Sequence, residues 1–303
     1  MLNSKKRILT FLGWAFFSLL FVIGCSNQIT TNYLPISDTT APGVKLTISI
    51  AATLKDAMEE IKPLYSKHKS NVDLIYNFAS SGTLQQQIEQ GAPFDVFFSG
   101  GTQQMEALQQ KGLLIDGTRK NLLKNQIVLI VSNNLTGIND FKDLANKRVK
   151  KIALGEPRST AVGQFTEQAL SKFSILDQVK AKAVYAKDVR QALRYVESGN
   201  TDAGIVFFPE AKSSHLVKLV QIVPETSHSP ILLPIAVLKN SKNVNAAKEF
   251  IQFLSSDQAK AVFKKQGFEL AGSSLWDDNN RVLGFWKDKS SLSIDFQETR
   301  GSS

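Results

Sequence analysis

The chain is poor in the side chains that most hydrolytic and metal enzymes rely on. One cysteine, Cys25, stands among 303 residues. That excludes a disulfide within the chain and any cysteine-based metal cluster. There are three histidines, His68, His215 and His228, each in a polar stretch and none at metal-ligand spacing from another. No GxSxG elbow is present, so a secreted hydrolase using Ser81 as nucleophile would have no identifiable base. The longest apolar run, FLGWAFFSLLFVIG before Cys25, is too short for a comfortable membrane span. The lysines are scattered, as at Lys142, Lys147, Lys150 and Lys151, without interleaved aromatics. This argues against a single-strand nucleic-acid groove.

What is present begins with an address. Basic MLNSKKR precedes the apolar run, and a polar stretch rich in Ser, Thr and Pro follows Cys25. This is the three-part layout of an export signal followed by a tether. Val22-Ile23-Gly24-Cys25 resembles the lipobox of bacterial lipoproteins, which implies cleavage before Cys25, acylation of its thiol and a lipid-anchored protein outside the cytoplasmic membrane. Setting aside Lys5, Lys6 and Arg7 of the leader lowers the formal charge of +9 by three. The remaining basic balance suits a small anion or an anionic surface. A hydrophobic content of 43% and a charged content of 21% are those of a globular protein, and the length allows two modest domains.

Along the chain, strands run repeatedly into helices. VKLTISI from Val44 leads into LKDAMEEIKPLY, whose Leu54, Ala57, Met58 and Ile61 fall at helical spacing, with Thr53 as a cap at the junction. Pro63 predicts a kink or an early break there. VDLIYNFA delivers Ser80-Ser81-Gly82-Thr83 to a second helix start at LQQQIEQ, and FDVFF has the uninterrupted apolar character of a strand buried on both faces. A second series begins near Asn125. Its Gly155–Gly163 loop places free amides before a helix expected at Gln164–Leu170, and Asp188 caps a helix whose first turn holds Val189. NVNAAKEFIQFLSSDQAKAVFKKQGF reads as one closing helix. The alternation specifies α/β architecture with doubly wound, mainly parallel sheets.

Ser-Ser-Gly-Thr before a helix is by itself only a cap, but the helix start is also an anion site. Together with Ala51-Ala52-Thr53-Leu54, Gly91-Ala92-Pro93-Phe94-Asp95-Val96-Phe97, Gly155-Glu156-Pro157, Asp188-Val189-Arg190, Gly204-Ile205-Val206 and the closing Phe263–Phe268 segment, it resembles the molybdate-binding periplasmic proteins of bacterial ABC importers. The likeness extends from about Lys45 to Phe268. It implies a periplasmic-binding-protein fold of type II: two α/β lobes joined by two crossing hinge strands, a tetrahedral oxyanion in the cleft held by neutral donors, and no enzymatic activity or cofactor. The donors carried over are the hydroxyl and amide of Thr53 and of Ser81 and the backbone amides of Val162 and Val189. Phe207 stands where the family usually has a tyrosine, so one hydroxyl donor is missing unless Tyr185, water or another group replaces it.

The expected organisation is a signal peptide over 1–25, a tether over 26–44, a first lobe from 45–126 and 236–271, a second lobe over 127–235, and an extension of unassigned role over 272–303. In that extension Trp276, Phe285 and Trp286 either pack on the surface or mark a contact. The expected ligand is molybdate and also tungstate, delivered to a membrane permease by a monomer that takes no metal cation and binds no nucleic acid. Sulfate, phosphate or a small organic anion on the same scaffold is the alternative. Phosphate keeps a proton and needs an acceptor, and none of Thr53, Ser81, Val162 and Val189 carries a carboxylate. Arg158 and Arg190 are the charged candidates beside the loops: Arg190 as a salt bridge or carbonyl clamp, Arg158 as an aid to anion attraction.

Overall fold

A computed structural model describes residues 43–133 and 135–271. Cys25, the leader, most of the tether and the 272–303 extension with its aromatics lie outside the described residues. The first lobe is built on a six-stranded sheet in the order β11-β4-β10-β3-β1-β2. Its strands are β1 (Val44–Ala51), β2 (Val72–Ala79), β3 (Val96–Phe98), β4 (Lys120–Lys124), β10 (Leu232–Val237) and β11 (Glu269–Leu270). The second lobe carries a five-stranded sheet, β7-β6-β8-β5-β9. These are β5 (Ile127–Ser132), β6 (Ile152–Gly155), β7 (Ala183–Ala186), β8 (Ala203–Phe207) and β9 (Val217–Ile222). The chain passes between the sheets twice, from β4 to β5 and from β9 to β10. β10 lies wholly in the first sheet, so the second passage falls within 223–231, ahead of the 235/236 boundary expected from sequence.

Parallel pairing is confined to the βαβ half of each sheet, β1 with β2 and β3, and β6 with β7 and β8. The strands flanking the crossings pair antiparallel, β10 with β3 and β4, and β5 with β8 and β9. Both sheets are therefore mixed. Pro234 sits inside β10 at a register shift, which accommodates its missing N–H. The apolar runs behave as expected of strands covered on both faces: Ile48, Val96, Phe97, Phe98 and Ile127 to Ile130 are fully buried. Each such side chain contributes roughly 1.5–3 kcal/mol through burial.

The helices are α1 (Lys55–His68), α2 (Ser81–Glu89), α3 (Thr102–Gln110), α4 (Ala161–Lys172), α5 (Leu176–Lys180), α6 (Val189–Glu197), α7 (Phe208–Ser213), α8 (Val244–Phe253) and α9 (Asp257–Gln266). Pro63 neither ends nor breaks α1, which runs on to His68. Ala57, Met58, Ile61 and Tyr65 hold both sides of the proline against the core, and that burial outweighs one lost backbone bond. The closing segment is two helices, not one. Ser256 caps α9 by accepting from Ala259 N–H, and this local bond interrupts the helical run.

Candidate functional site

Four helical starts converge on one cavity. From the first lobe come the 3-10 turn Ala52–Leu54 after β1 and the start of α2 after β2; from the second come the starts of α4 and α6. Parallel βαβ units place every such junction at the same edge of their sheet, which is why these short sequences, far apart in the chain, meet. Ser80 caps α2: its Oγ accepts from Thr83 N–H. Thr160 caps α4, accepting from Gly163 N–H at 3.0 Å while its hydroxyl donates to Glu156 O. Asp188 caps α6 through Gln191 N–H at 2.8 Å. With the third amide of each helix engaged by its cap, Ser81, Val162 and Val189 occupy the positions whose N–H groups have no intrahelical acceptor. All three line the cavity, as do Thr53 and Phe207. α4 starts at Ala161, three residues before the expected Gln164, and this puts Val162 inside the first turn.

The two hydroxyls are held differently. Ser81 Oγ accepts from Gly100 N–H at 2.9 Å, so its own proton remains for the cavity. Thr53 is not a cap; no side chain caps the turn or α1. Its Oγ1 lies 2.9 Å from Oε2 of Glu210 on α7. Glu210 is 2% exposed, and its Oε1 has no hydrogen-bond partner. Burial pushes its carboxyl up to about 8, against the pull of Arg190 and the bond from Thr53. Sequence reasoning passed over this residue. Its only local signal, an acid in the first turn of a helix after a proline, also fits a dipole-stabilising surface acid.

The lobes are closed over the cavity. Gly82 N–H donates to Ser159 O at 3.0 Å, and Gln104 bonds Gln164 at 3.1 Å. Arg190 Nε donates to Ala52 O at 2.9 Å and its Nη2 pairs with Asp56 at 2.7 Å. Arg190 is thus a clamp between lobes rather than part of the lining. Arg158 pairs with Glu156 with its side chain 90% exposed, outside the lining. Tyr185, the first candidate to replace the missing tyrosine, is exposed on β7 and also outside it. No lysine, arginine or histidine lines the cavity; Asp188 is its one carboxylate, and Glu210 stands behind Thr53. Positive potential comes from the amide ends of α2, α4 and α6. The cavity has a volume of about 20 Å³. That is the scale of a compact inorganic ligand and far below the pockets that enclose organic ones.

Residues 46–269 match the sequence profile of the bacterial extracellular solute-binding proteins. The chain belongs to that family. Among its relatives is YvgL of Bacillus subtilis (strain 168), provisionally named an ABC transporter substrate-binding lipoprotein. It is 42% identical over 253 residues, covering 83% of this chain and 94% of YvgL. The molybdate-binding protein ModA of Haemophilus influenzae (strain ATCC 51907 / DSM 11121 / KW20 / Rd) is 34% identical over 232 residues, covering 75% of this chain and 91% of ModA. Among solved structures, the Azotobacter vinelandii periplasmic molybdate-binding protein superposes with a TM-score of 0.67 at 25% identity, covering 74% of this chain and 98% of its own. That structure shares the two-lobe α/β architecture described above. Among the described residues no group of three or more His, Cys, Asp or Glu side chains could hold a metal ion. No helix among them is long and apolar enough to cross a membrane.

Proposed function

We propose that this chain captures molybdate, and also tungstate, between its lobes and hands it to the permease of an ABC importer. The observation that carries the reading is the donor set: unpaired first-turn amides at Thr53 and Ser81 from one lobe and at Val162 and Val189 from the other, around a small cavity lined by no cationic side chain. A doubly charged tetrahedral anion presents oxygens in several directions, and oriented dipoles from two lobes replace its hydration shell as the cleft closes. Because backbone positions set the cavity, a smaller sulfate leaves donors out of reach, and an unmade bond to a buried charge is costly. The names of the ModA relatives and of the Azotobacter structure support molybdate as the ligand. Opening and closing is a hinge motion about the 124–127 and 223–231 passages. The reading places a monomer outside the cytoplasmic membrane, held by acylated Cys25, as the name of YvgL supports.

A second reading is favoured by one residue. Phe207 is 3% exposed in the lining and offers no side-chain donor, which could mark a scaffold retuned to sulfate, phosphate or a small organic anion. Thermal unfolding of the full chain in mild detergent, with molybdate, tungstate, sulfate, phosphate or buffer alone, decides between them. A ligand that binds only the folded state raises stability by about 2.7 kcal/mol at a hundredfold excess over its Kd. A midpoint shift with micromolar molybdate and tungstate but not sulfate is the expected result. A shift with sulfate or phosphate alone transfers the assignment to that anion.

A further inference from the structure

Glu210 is a buried ionisable group that anion capture by amides leaves unexplained. A hydroxyl has a single proton to donate. While Glu210 is ionised, the Thr53 proton is directed at Oε2, 2.9 Å away, and cannot also serve a ligand in the cavity. The carboxylate would at the same time stand one side chain away from a dianion. A protonated Glu210 reverses the bond: Oε2–H donates to Thr53 Oγ1, and the threonine proton is released toward the cavity.

The surroundings of Glu210 favour the protonated form. Arg190 of α6 is the nearby cation, and it is already committed to Asp56 of α1 and to Ala52 O. Asp56 itself repels a second negative charge. Elsewhere on α6, Arg194 is exposed and Glu197 accepts from the Ser214 hydroxyl. β5 and β8 bring no ionisable side chain. Lys218 of β9 and Lys264 of α9 are exposed, Lys265 pairs with Glu60, and Lys260 pairs with Asp257. An ionised Glu210 therefore has only the Thr53 hydroxyl and its own backbone N–H as hydrogen-bond donors, with Oε1 unpartnered, and burial outweighs both.

We infer that the site captures the anion with Glu210 protonated at Oε2, taking that proton from solvent wherever Glu210 is ionised beforehand, and that this proton turns the Thr53 hydroxyl from a donor to glutamate into a donor to the ligand. The inference rests on reading the cavity as an oxyanion site. Glu210 is then a positioning residue that touches no ligand and acts through Thr53. The sign follows from linkage: the form that binds well is the one carrying the proton, so affinity is full at low pH and is lost as pH rises through the Glu210 titration. With burial raising that carboxyl to about 8, the loss falls in the alkaline range.

Isothermal titration of sodium molybdate into the full chain in mild detergent tests this, in pairs of buffers with different ionisation enthalpies. Molybdate stays a dianion across neutral and alkaline pH, so any proton taken up goes to the protein. The expected result is close to one proton per molybdate at pH 9, and a Kd about tenfold weaker at pH 9 than at pH 7. In E210Q the amide donates to Thr53 at every pH, so uptake disappears and the profile flattens. If E210Q does not fold, Thr53→Val removes the switched donor, and its weaker binding is expected to vary less with pH than that of the wild type across the same range. Wild-type binding at pH 9 without proton uptake, or an unaltered slope in E210Q, overturns the inference while leaving the anion reading intact. Should molybdate not bind at any pH, the molybdate reading fails instead, and the proton claim is then decided without ligand. The infrared difference spectrum, wild type minus E210Q, must show the carbonyl band of a protonated carboxyl at pH 7 and lose it by pH 10; its absence at pH 7 overturns the claim.

Discussion

Ser81 and Thr53 are equivalent by residue type and opposite by circumstance. Both hydroxyls belong to the first lobe, both follow a strand of the same sheet, and both line the cavity. Ser81 Oγ accepts from the Gly100 amide, which leaves its proton outward at any pH. Thr53 Oγ1 faces a carboxylate of the opposite lobe, which claims its proton whenever it is charged. The role of a hydroxyl as donor or acceptor is therefore set by its second partner, not by its own chemistry. One lobe carries a fixed donor and a conditional one.

The strongest way to break this arrangement is to keep both hydroxyls and part the lobes. Gly82 is in the first turn of α2, and a Cβ there would lie 2.6 Å from Ser159 O and 2.8 Å from Ser159 Cα. Backbone on the far lobe cannot yield as a side-chain tip does. Gly82→Ala is expected to hold the cleft ajar, depriving the anion of the Val162 and Val189 amides together. Two charged bonds at about 1.5–3 kcal/mol each amount to an affinity loss on the order of a thousandfold, with thermal stability of the unliganded chain nearly unchanged. Titration calorimetry with molybdate, beside a melting curve without it, checks both halves. Wild-type affinity in this variant would mean that closure does not require the Gly82–Ser159 contact.

A smaller effect separates the two hydroxyls directly. Ser81→Ala removes an unconditional donor and is expected to weaken molybdate binding by about 10- to 100-fold equally at pH 7 and pH 9. Thr53→Val is expected to cost a similar factor at pH 7 but much less relative to wild type at pH 9, where the wild-type hydroxyl has already turned to Glu210. Parallel pH profiles for the two variants would show that their environments do not differ in the way the hydrogen bonds indicate.

The same contrast explains what could be read from the sequence. The helix starts at Ser81 and Val189 were legible because capping is local: a hydroxyl or carboxylate at the cap and an apolar pattern just beyond it fix where the first turn falls. Val162 was reached only through the family resemblance, since the helix start was expected at Gln164 and Thr160 was not read as its cap. The α/β alternation was legible for the same reason as the caps, since strand and helix periods are written in adjacent residues. Glu210 was not, because its meaning arises from a bond to a residue 157 positions away and from burial on every side. The mixed sheets were missed in a similar way. β4, KNLLK, has no strong strand pattern, and its antiparallel place beside β10 is decided by where the chain returns after the whole second lobe. The division of the closing helix was within reach, since Ser256 followed by Asp257 carries the chemistry of a helix start.

The gentlest change adds a third hydroxyl to the comparison. Phe207 ends β8 in the lining, where it can contribute only apolar surface. Phe207→Tyr adds a donor, and the one carboxylate of the lining, Asp188, is already engaged by the Gln191 amide, so the new hydroxyl should behave like Ser81 and not like Thr53. The expected gain is about tenfold or less in molybdate affinity, because packing the extra atom into a 3%-exposed position offsets part of a charged hydrogen bond. It should appear equally at pH 7 and pH 9. A gain confined to pH 7 would place the new hydroxyl under the control of Glu210 or Asp188, and a loss at both pH values would show that the cavity has closed around the phenylalanine ring with no room for a third side-chain donor.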